Sequence, residues 1–541
     1  MTAIKYLFLC FLFLPAKTVF SQNTILSPQT FKHYIDSFNA DDNELYKQYY
    51  SNEDAWKFLK ENIPFFECPD KELEKTYYFR WWTFRKHIKK TPEGFVITEF
   101  LPDVSWAGKY NTISCAAGHH FYEGRWLHDP VYLNDYMNFW LYESGDAIRK
   151  YSFWAADAWK AFLSVHPEKK TLNSILDKLV HNYYKWEETH RENKSPLFWQ
   201  ADGADGMEVS AGGQWANNGI PTPSYKALRP TINSYMYGDA VAIAAMAKMA
   251  GRSDLADTFT SKAIIIKSAM MHSLWSDSLK FFGSIPLQNK NTNILPVREL
   301  IGFVPWYFNM PDDDTTYANA WKQLENHRGF MAKWGPTTCE QRNLYFSISY
   351  EGHECQWNGP SWPYATSQTL TAMANLLDNY TCKPVTGDDY FSLLSAYSNS
   401  QRRKLENGKV IPWIDENINP YTGDWISRTR LKNWVGGPWP KNKGGKERGK
   451  DYNHSTFCDL IISGLIGLRT SLKDTLTINP LLTADKWDYF CLDNVLYQNK
   501  IITVLYDKTG KKYNRGKGFK IFVNGKLIYS SRLINKVSIP I

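Results

Sequence analysis

The chain lacks what a disulfide-stapled, metal-ligating or membrane-spanning protein needs. Cysteine is sparse, eight in 541 residues, scattered with no CxxC and no metal-type spacing, which argues against a zinc module and a disulfide framework. The seven beyond residue 22 (Cys68, Cys115, Cys339, Cys355, Cys382, Cys458 and Cys491) read as buried free thiols, with Cys339 and Cys355 left open as one pair. Past residue 22 no apolar run is long enough to cross a bilayer, so no membrane span is expected. Charge of one sign is also scarce. The formal net charge is +8, and the densest basic stretch, 428–450, is broken by glycine and proline and reads as a solvated loop facing an anionic substrate at most. Nothing resembles a nucleic-acid module, so no nucleic-acid partner is expected. No internal repeat is visible.

What is present begins with residues 1–22, which carry the parts of a secretory signal: Lys5, an apolar run over 6–15, and a small-residue site at Val19-Phe20-Ser21. Cleavage is expected after Ser21 or Gln22, giving an exported, soluble protein, periplasmic or secreted. The length exceeds one ordinary core and predicts a large domain over 23–470, with an N-terminal arm, and a smaller one over 471–541. Aromatic residues make up 16%, with 22 tryptophans, more than a core needs; stacking on sugar faces is one use of the surplus.

The most distinctive stretch is 198–213, FWQADGADGMEVSAGG. Asp202, Asp205 and Glu208 stand three apart, but Gly203, Gly206, Gly212 and Gly213 favour a loop over a helix. An acid behind Phe198, Trp199 and Trp215 is placed to be a general acid kept protonated by an apolar surround. A solvated acidic turn or a calcium loop is the alternative. No cofactor is expected; calcium stays unassigned, with Asp312-Asp313-Asp314 as the suggestive run.

Helical periodicity is predicted over 73–87, 146–165, 172–186, 232–250, a helix starting at Ser253, 316–327, 362–380, 389–405 and 455–469. Residues 95–100 read as a short strand. Residues 106–128 read as a polar loop carrying His119, His120, Arg125 and Trp126. Two loops, 201–230 and 406–453, exceed ordinary connection lengths, and their tryptophans (Trp215, Trp413, Trp425, Trp434, Trp439) mark them as ordered and functional. After 469 the pattern turns to alternating strands, with a hairpin signal at Asn524-Gly525. The fold class expected is mainly α, an (α/α)6 barrel (toroid) built of antiparallel helix pairs, with a small C-terminal antiparallel β-sandwich domain.

Three stretches together resemble the inverting (α/α)6 glycosidases: glycoside hydrolase family 63, trehalase and especially the mannosylglycerate hydrolase-like group. Residues 205–210, Asp-Gly-Met-Glu-Val-Ser, are similar to the group's Gly-Met-Asp-x-Ser segment, which implies Glu208 as general acid. Residues 356–363, Gln-Trp-Asn-Gly-Pro-Ser-Trp-Pro, are similar to its Trp-Arg-Gly-Pro-x-Trp pocket segment. Residues 416–423, Glu-Asn-Ile-Asn-Pro-Tyr-Thr-Gly, resemble the segment carrying the general base, implying Glu416. A fainter match joins Arg125, Trp126 and Asp129. The departures are Glu for Asp at 208, Asn358 for the family's Arg, Ala211-Gly212 for Pro-Arg, and Tyr452-Asn453-His454-Ser455 where Phe-Gly-Trp is expected.

The resemblance implies an oligo- or polysaccharide substrate and inversion, with two carboxyls about 6.5–9.5 Å apart admitting a water between them and the sugar. Glu208 protonates the leaving oxygen and Glu416 activates the water; Asp205 and Asp202 are the alternative acids. Trp357 and Trp362 are the candidate stacking residues, and Gln200, Arg342, Asn358 and His454 the candidate hydroxyl binders. Trp199, Trp215, Arg125, Trp126, His120 and Gln356 complete the candidate substrate-binding set. Long loops around one pocket point to exo action. A polysaccharide lyase using His119, His120 or Tyr122 leaves both glutamates without roles, and a non-catalytic glycan binder needs neither.

Overall fold

Inner and outer helices are distinguished by how much of each surface is apolar. In the computed structural model, which describes residues 24–287, 293–432, 445 and 447–541, Lys71–Lys86 is buried nearly all round, from Leu73 and Tyr77 to Trp81, Trp82 and Phe84. Asp70 caps it by accepting the Leu73 amide at 3.0 Å, and Glu72, Glu74, Arg85 and Lys86 complement its dipole. Pro230–Met249, with proline in its first turn, is likewise buried on most sides. Its antiparallel neighbour Ser253–Ser273 buries only one stripe, Ala256, Phe259, Ala263, Ile266 and Met270. Ala155–Val165 and Leu172–His190 repeat the inner and outer pattern. A helix apolar on all sides must be enclosed, and a single stripe suits an outer layer.

A ring of helix contacts runs from Lys71–Lys86 through Gly387–Ser400, Pro363–Asn379, Val304–Tyr307, Pro230–Met249 and Ala155–Val165 to Ser114–Gly124, in which Gly387–Ser400 buries only one stripe, as an outer helix does. The ring closes where Gly124 meets Phe84, leaving no room for a Cβ. This is the toroid.

Residues 106–128 are not the expected loop: Ser114–Gly124 is a helix, carrying both His119 and His120. Its lack of side chain at Gly118 lets the Trp154 ring approach to where a Cβ would lie 2.1 Å away. Buried polar residues hide its periodicity. The 316–327 helix is shorter, Thr315–Ala318 followed by a tight turn at Asn319–Gln323, and 455–469 contracts to the wide turn Leu460–Leu465. The helix expected over 389–405 spans Gly387–Ser400, and Arg402–Lys404 pairs instead with Val410–Pro412.

The tail is antiparallel. Tyr489–Tyr497, Lys500–Asp507, Gly518–Val523 and Lys526–Ser531 form one sheet, to whose edge the N-terminal arm adds Phe65–Glu67. A second sheet joins Leu468–Arg469, Thr475–Ile478 and Val537–Pro540. Asn524 and Gly525 both have positive φ, 50° and 77°, as the two-residue hairpin requires. The seven described cysteines are free, Cys339 and Cys355 included. No helix among the described residues is long and apolar enough to cross a membrane. Residues 1–22, expected from sequence to be a secretory signal, lie outside the described residues.

Candidate active site

Glu208 is aimed by the glycine loop before it. The Asp202 side chain accepts the Gly203 amide at 3.0 Å and the Ser210 hydroxyl at 3.1 Å, and its carbonyl accepts the Met207 amide at 2.9 Å. Gly206 turns the chain with φ at 77°. Val209–Ser210 then pairs in parallel with Gln356–Trp357, Val209 opposite Gln356. That register sets Glu208 abreast of Cys355. Both line a cavity of about 240 Å³, together with Glu99, Arg448, Tyr452 and His454, walled by Trp106, Trp357, Trp362 and Tyr364.

Glu208 leaves one carboxyl oxygen, Oε2, buried with no partner among the described residues. Burial, with the charges of Glu416 and Glu99 adding, raises its pKa to about 8. Glu99 is also raised to about 8, by burial and by Glu416, against the hydrogen bond that Tyr452 donates to its Oε1.

Glu416 is 1% exposed and sits behind Cys355 and Arg448. Arg448 donates from Nε to Oε1 at 2.6 Å and from Nη2 to Oε2 at 2.9 Å, and from Nη1 to Glu354 at 2.9 Å. Burial pushes Glu354 up, but Arg448 and His353 outweigh it and bring it down to about 2. The Cys355 thiol donates to Glu416 Oε2 at 3.4 Å; burial, then Glu208 and Glu416, hold it well above the ordinary thiol value. The loop carrying Glu416 is fixed by the Ile418–Ser361 bridge and by Asn417, whose side chain donates to the Glu354 carbonyl and accepts from the Ser427 amide.

Of the residues singled out from sequence, Glu208, Trp357, Trp362 and His454 line the cavity and Glu416 adjoins it. Trp357 and Trp362 stack on each other, 4.3 Å between centroids, and Trp362 donates to the Gln356 carbonyl at 2.7 Å. The rest are engaged elsewhere. Asp205 is locked to Arg229 at 2.6 Å and accepts from Ser152 and Thr231. Asp202 closes the loop as described, its pKa raised by burial to about 7. Gln200 donates to Ser152. Trp199 packs against His190 and Lys226, and Trp215 donates to Asn343 beside Tyr345. Asn358 donates to Gln214 and the Tyr345 carbonyl; Gln356 donates to the Glu351 carbonyl. Arg342 donates to the Arg328 carbonyl and to Gln323.

His120 contacts the Asn453 carbonyl at 2.6 Å and Tyr136, and burial lowers its pKa to about 4. Arg125 and Trp126 both donate to Asp459; Arg125 lines a separate cavity of about 800 Å³, which Tyr122 at the far end of the Ser114–Gly124 helix from Cys115 also lines. Asp312 pairs with Lys267, Asp313 accepts the Thr381 and Cys382 amides, and Asp314 caps Thr316, so the three acids face different partners. Trp434 and Trp439 lie outside the described residues.

Sequence reasoning missed Glu99, Glu354, Cys355, Arg448 and Tyr452 as cavity residues. Glu354 and Cys355 immediately precede the 356–363 segment, a signal within reach. Arg448 was hidden in a basic stretch read as solvated; Arg428 there pairs with Glu447, and Arg430 donates to the His353 and Ser349 carbonyls.

A profile for the mannosylglycerate hydrolase MGH1-like glycoside hydrolase domain matches residues 109–455, and one for the glycosyl hydrolase family 65 C-terminal domain matches 468–528. A solved sialidase is 41% identical over 95% of this chain, with a TM-score of 0.84; this chain spans 44% of that one. A GH78 family rhamnosidase of Bacillus sp. GL1 shares the fold at 12% identity and TM-score 0.50, over 82% of this chain and 40% of that one. A GH63 mannosylglycerate hydrolase from Thermus thermophilus matches 66% of this chain and 98% of its own, at 11% identity and TM-score 0.46. Glu208, Glu354, Cys355, Glu416, Arg448 and His454 fall inside the matched glycoside hydrolase segment, and Glu99 precedes it.

Proposed function

The chain belongs to the mannosylglycerate hydrolase MGH1-like glycoside hydrolase family, and from that premise we propose that it is an exported, exo-acting inverting glycosidase with Glu208 as general acid and Glu416 as general base. The observation that carries this reading is the contrast between the two carboxyls. Glu208 stands in an aromatic cavity with one oxygen unpartnered among the described residues and a pKa raised to about 8. Glu416 is held by both prongs of a guanidinium. One group is suited to deliver a proton near neutral pH and the other to receive one, the division of labour that glycoside hydrolysis requires.

Protonation of the glycosidic oxygen by Glu208 lets the bond to the anomeric carbon break as a water, losing its proton to Glu416, attacks the opposite face. Trp357 and Trp362 offer the sugar a stacked apolar wall. A cavity of about 240 Å³ suits removal of one terminal residue at a time. The leader over residues 1–22 supports export.

The test is a screen of the mature protein against oligosaccharides and polysaccharides, run beside Glu208→Gln and Glu416→Gln, with NMR of the newly formed anomeric centre. Release of an inverted sugar, lost in both variants, is expected. Retention, internal cleavage, or activity surviving both changes counts against the mechanism, the exo assignment or the residue roles respectively.

A further inference from the structure

His454 occupies the position where the resemblance calls for the last residue of an aromatic segment, and it brings polar atoms to the cavity in place of a third tryptophan. Its ring is 2% exposed, lies 3.7 Å from the Tyr452 ring and 5.8 Å from Tyr364, and lines the cavity. Neither ring nitrogen has a hydrogen-bond partner among the described residues. A buried imidazole in that state has a donor and an acceptor to give, and orphaned buried polar atoms are rare unless something else meets them. Glu99 approaches the same cavity from another segment, offering a carboxyl of which Oε1 is taken by Tyr452.

The described residues around this space leave an anion little to pair with. Four carboxyls (Glu99, Glu208, Glu354 and Glu416) face or adjoin it. Arg448 already directs Nε, Nη1 and Nη2 at Glu416 and Glu354. No lysine is among the described residues that line the cavity. Among the described residues a sugar carboxylate here would meet only an arginine already engaged by two carboxylates, and burying an unpaired charge is far costlier than burying a hydroxyl that finds a partner. Size narrows the ligand further, since 240 Å³ is the room of about eight waters, the scale of one sugar ring.

Building on the two-carboxylate reading above, we infer that this pocket takes a single uncharged monosaccharide unit, recognised through hydrogen bonds from His454 and Glu99 to its ring hydroxyls, and turns acidic sugars away. His454 is the specificity-determining residue. This sets the site apart from what the name of the 41% identical sialidase suggests, and less than half of that protein is covered by this chain.

The experiment measures binding separately from turnover. Glu208→Gln, which keeps the pocket and removes the acid, is titrated by calorimetry and saturation-transfer NMR with glucose, galactose, mannose, rhamnose and fucose, and with galacturonate and N-acetylneuraminate. At least one uncharged sugar is expected to bind, and neither acidic one. Adding His454→Phe is expected to weaken that binding roughly tenfold or more by stranding a sugar hydroxyl. His454→Gln, which keeps hydrogen-bonding capacity, should retain part of it, and thermal unfolding of each variant verifies the fold. In the active enzyme His454→Phe should raise KM more than it lowers kcat. Tighter binding of an acidic sugar, no binding by any uncharged one, or an unchanged affinity in a folded His454→Phe variant overturns the inference. Failure of the two-carboxylate reading would appear differently, as turnover that survives Glu208→Gln or Glu416→Gln.

Discussion

Arg448 Nε lies 2.6 Å from Glu416 Oε1 and its Nη2 2.9 Å from Oε2, so the two residues form a bidentate pair, 32 positions apart in sequence, behind the cavity wall. With both side chains 1% exposed, water shields neither charge. The pair therefore fixes the position of Glu416 as well as its charge.

Removing the guanidinium should be severe. Arg448→Ala leaves Glu416 and Glu354 buried without their cation, and a loss of about 3–5 kcal/mol is expected in chemical denaturation, with activity abolished. Arg448→Lys keeps the charge but offers a single point where a planar fork served two carboxylates, so kcat should still fall at least tenfold in the folded variant. An Arg448→Lys enzyme as active as the parent would rule out this role.

The pH profile follows from the cavity carboxyls. A general acid at Glu208 with its pKa raised from 4.5 to about 8 stays protonated through neutrality, so kcat/KM should hold below that value and fall as the pH rises through about 8. Because the charge of Glu99 contributes to that rise, Glu99→Gln should move the alkaline limb to lower pH. The linkage has the same sign. A carboxyl whose folded pKa is raised contributes stability that is full below about 4.5 and is lost as the pH climbs through about 8. Rate and melting profiles from pH 4 to 10 measure both.

Gly206 should tolerate no side chain. At φ 77° an L-residue pays about 1–2 kcal/mol, and a Cβ here would stand 2.7 Å from the Cys115 sulfur. Since this turn launches Glu208, Gly206→Ala is expected to lower kcat well beyond its effect on melting, because a small displacement of an acid costs rate steeply. Equal and small losses in both would mean the turn does not aim the acid.

Asp205 predicts the opposite pattern. Asp205→Ala strands Arg229, which is fully buried, and should cost about 3–5 kcal/mol of stability. The fraction that still folds should keep the alkaline limb of the parent, since Asp205 does not line the cavity. Loss of that limb in Asp205→Ala would return Asp205 to candidacy as the acid.

Features that depend on near neighbours were legible in the residues themselves. The alternating inner and outer helix pairs follow from apolar stripes, the start of Pro230–Met249 from its proline, and the tight hairpin from Asn524-Gly525, each a matter of local sterics and periodicity. The same reading offered three residues as candidate acids and one segment for a candidate base. Only the folded chain shows how Asp202, Asp205 and Glu208, which share one spacing and one setting in sequence, differ in what consumes their oxygens: Ser210 and the Gly203 amide, Arg229, and none of the described residues for Oε2 of Glu208. Folding likewise brought Glu99, His454 and Arg448 to Glu208 from segments more than a hundred positions away. It also gave the Ser114–Gly124 histidines their helix, where buried polar residues mask the period. Local pattern fixes where the chain bends and which face is apolar; the charge and burial felt by a carboxyl are set by atoms that only the closed ring of helices assembles.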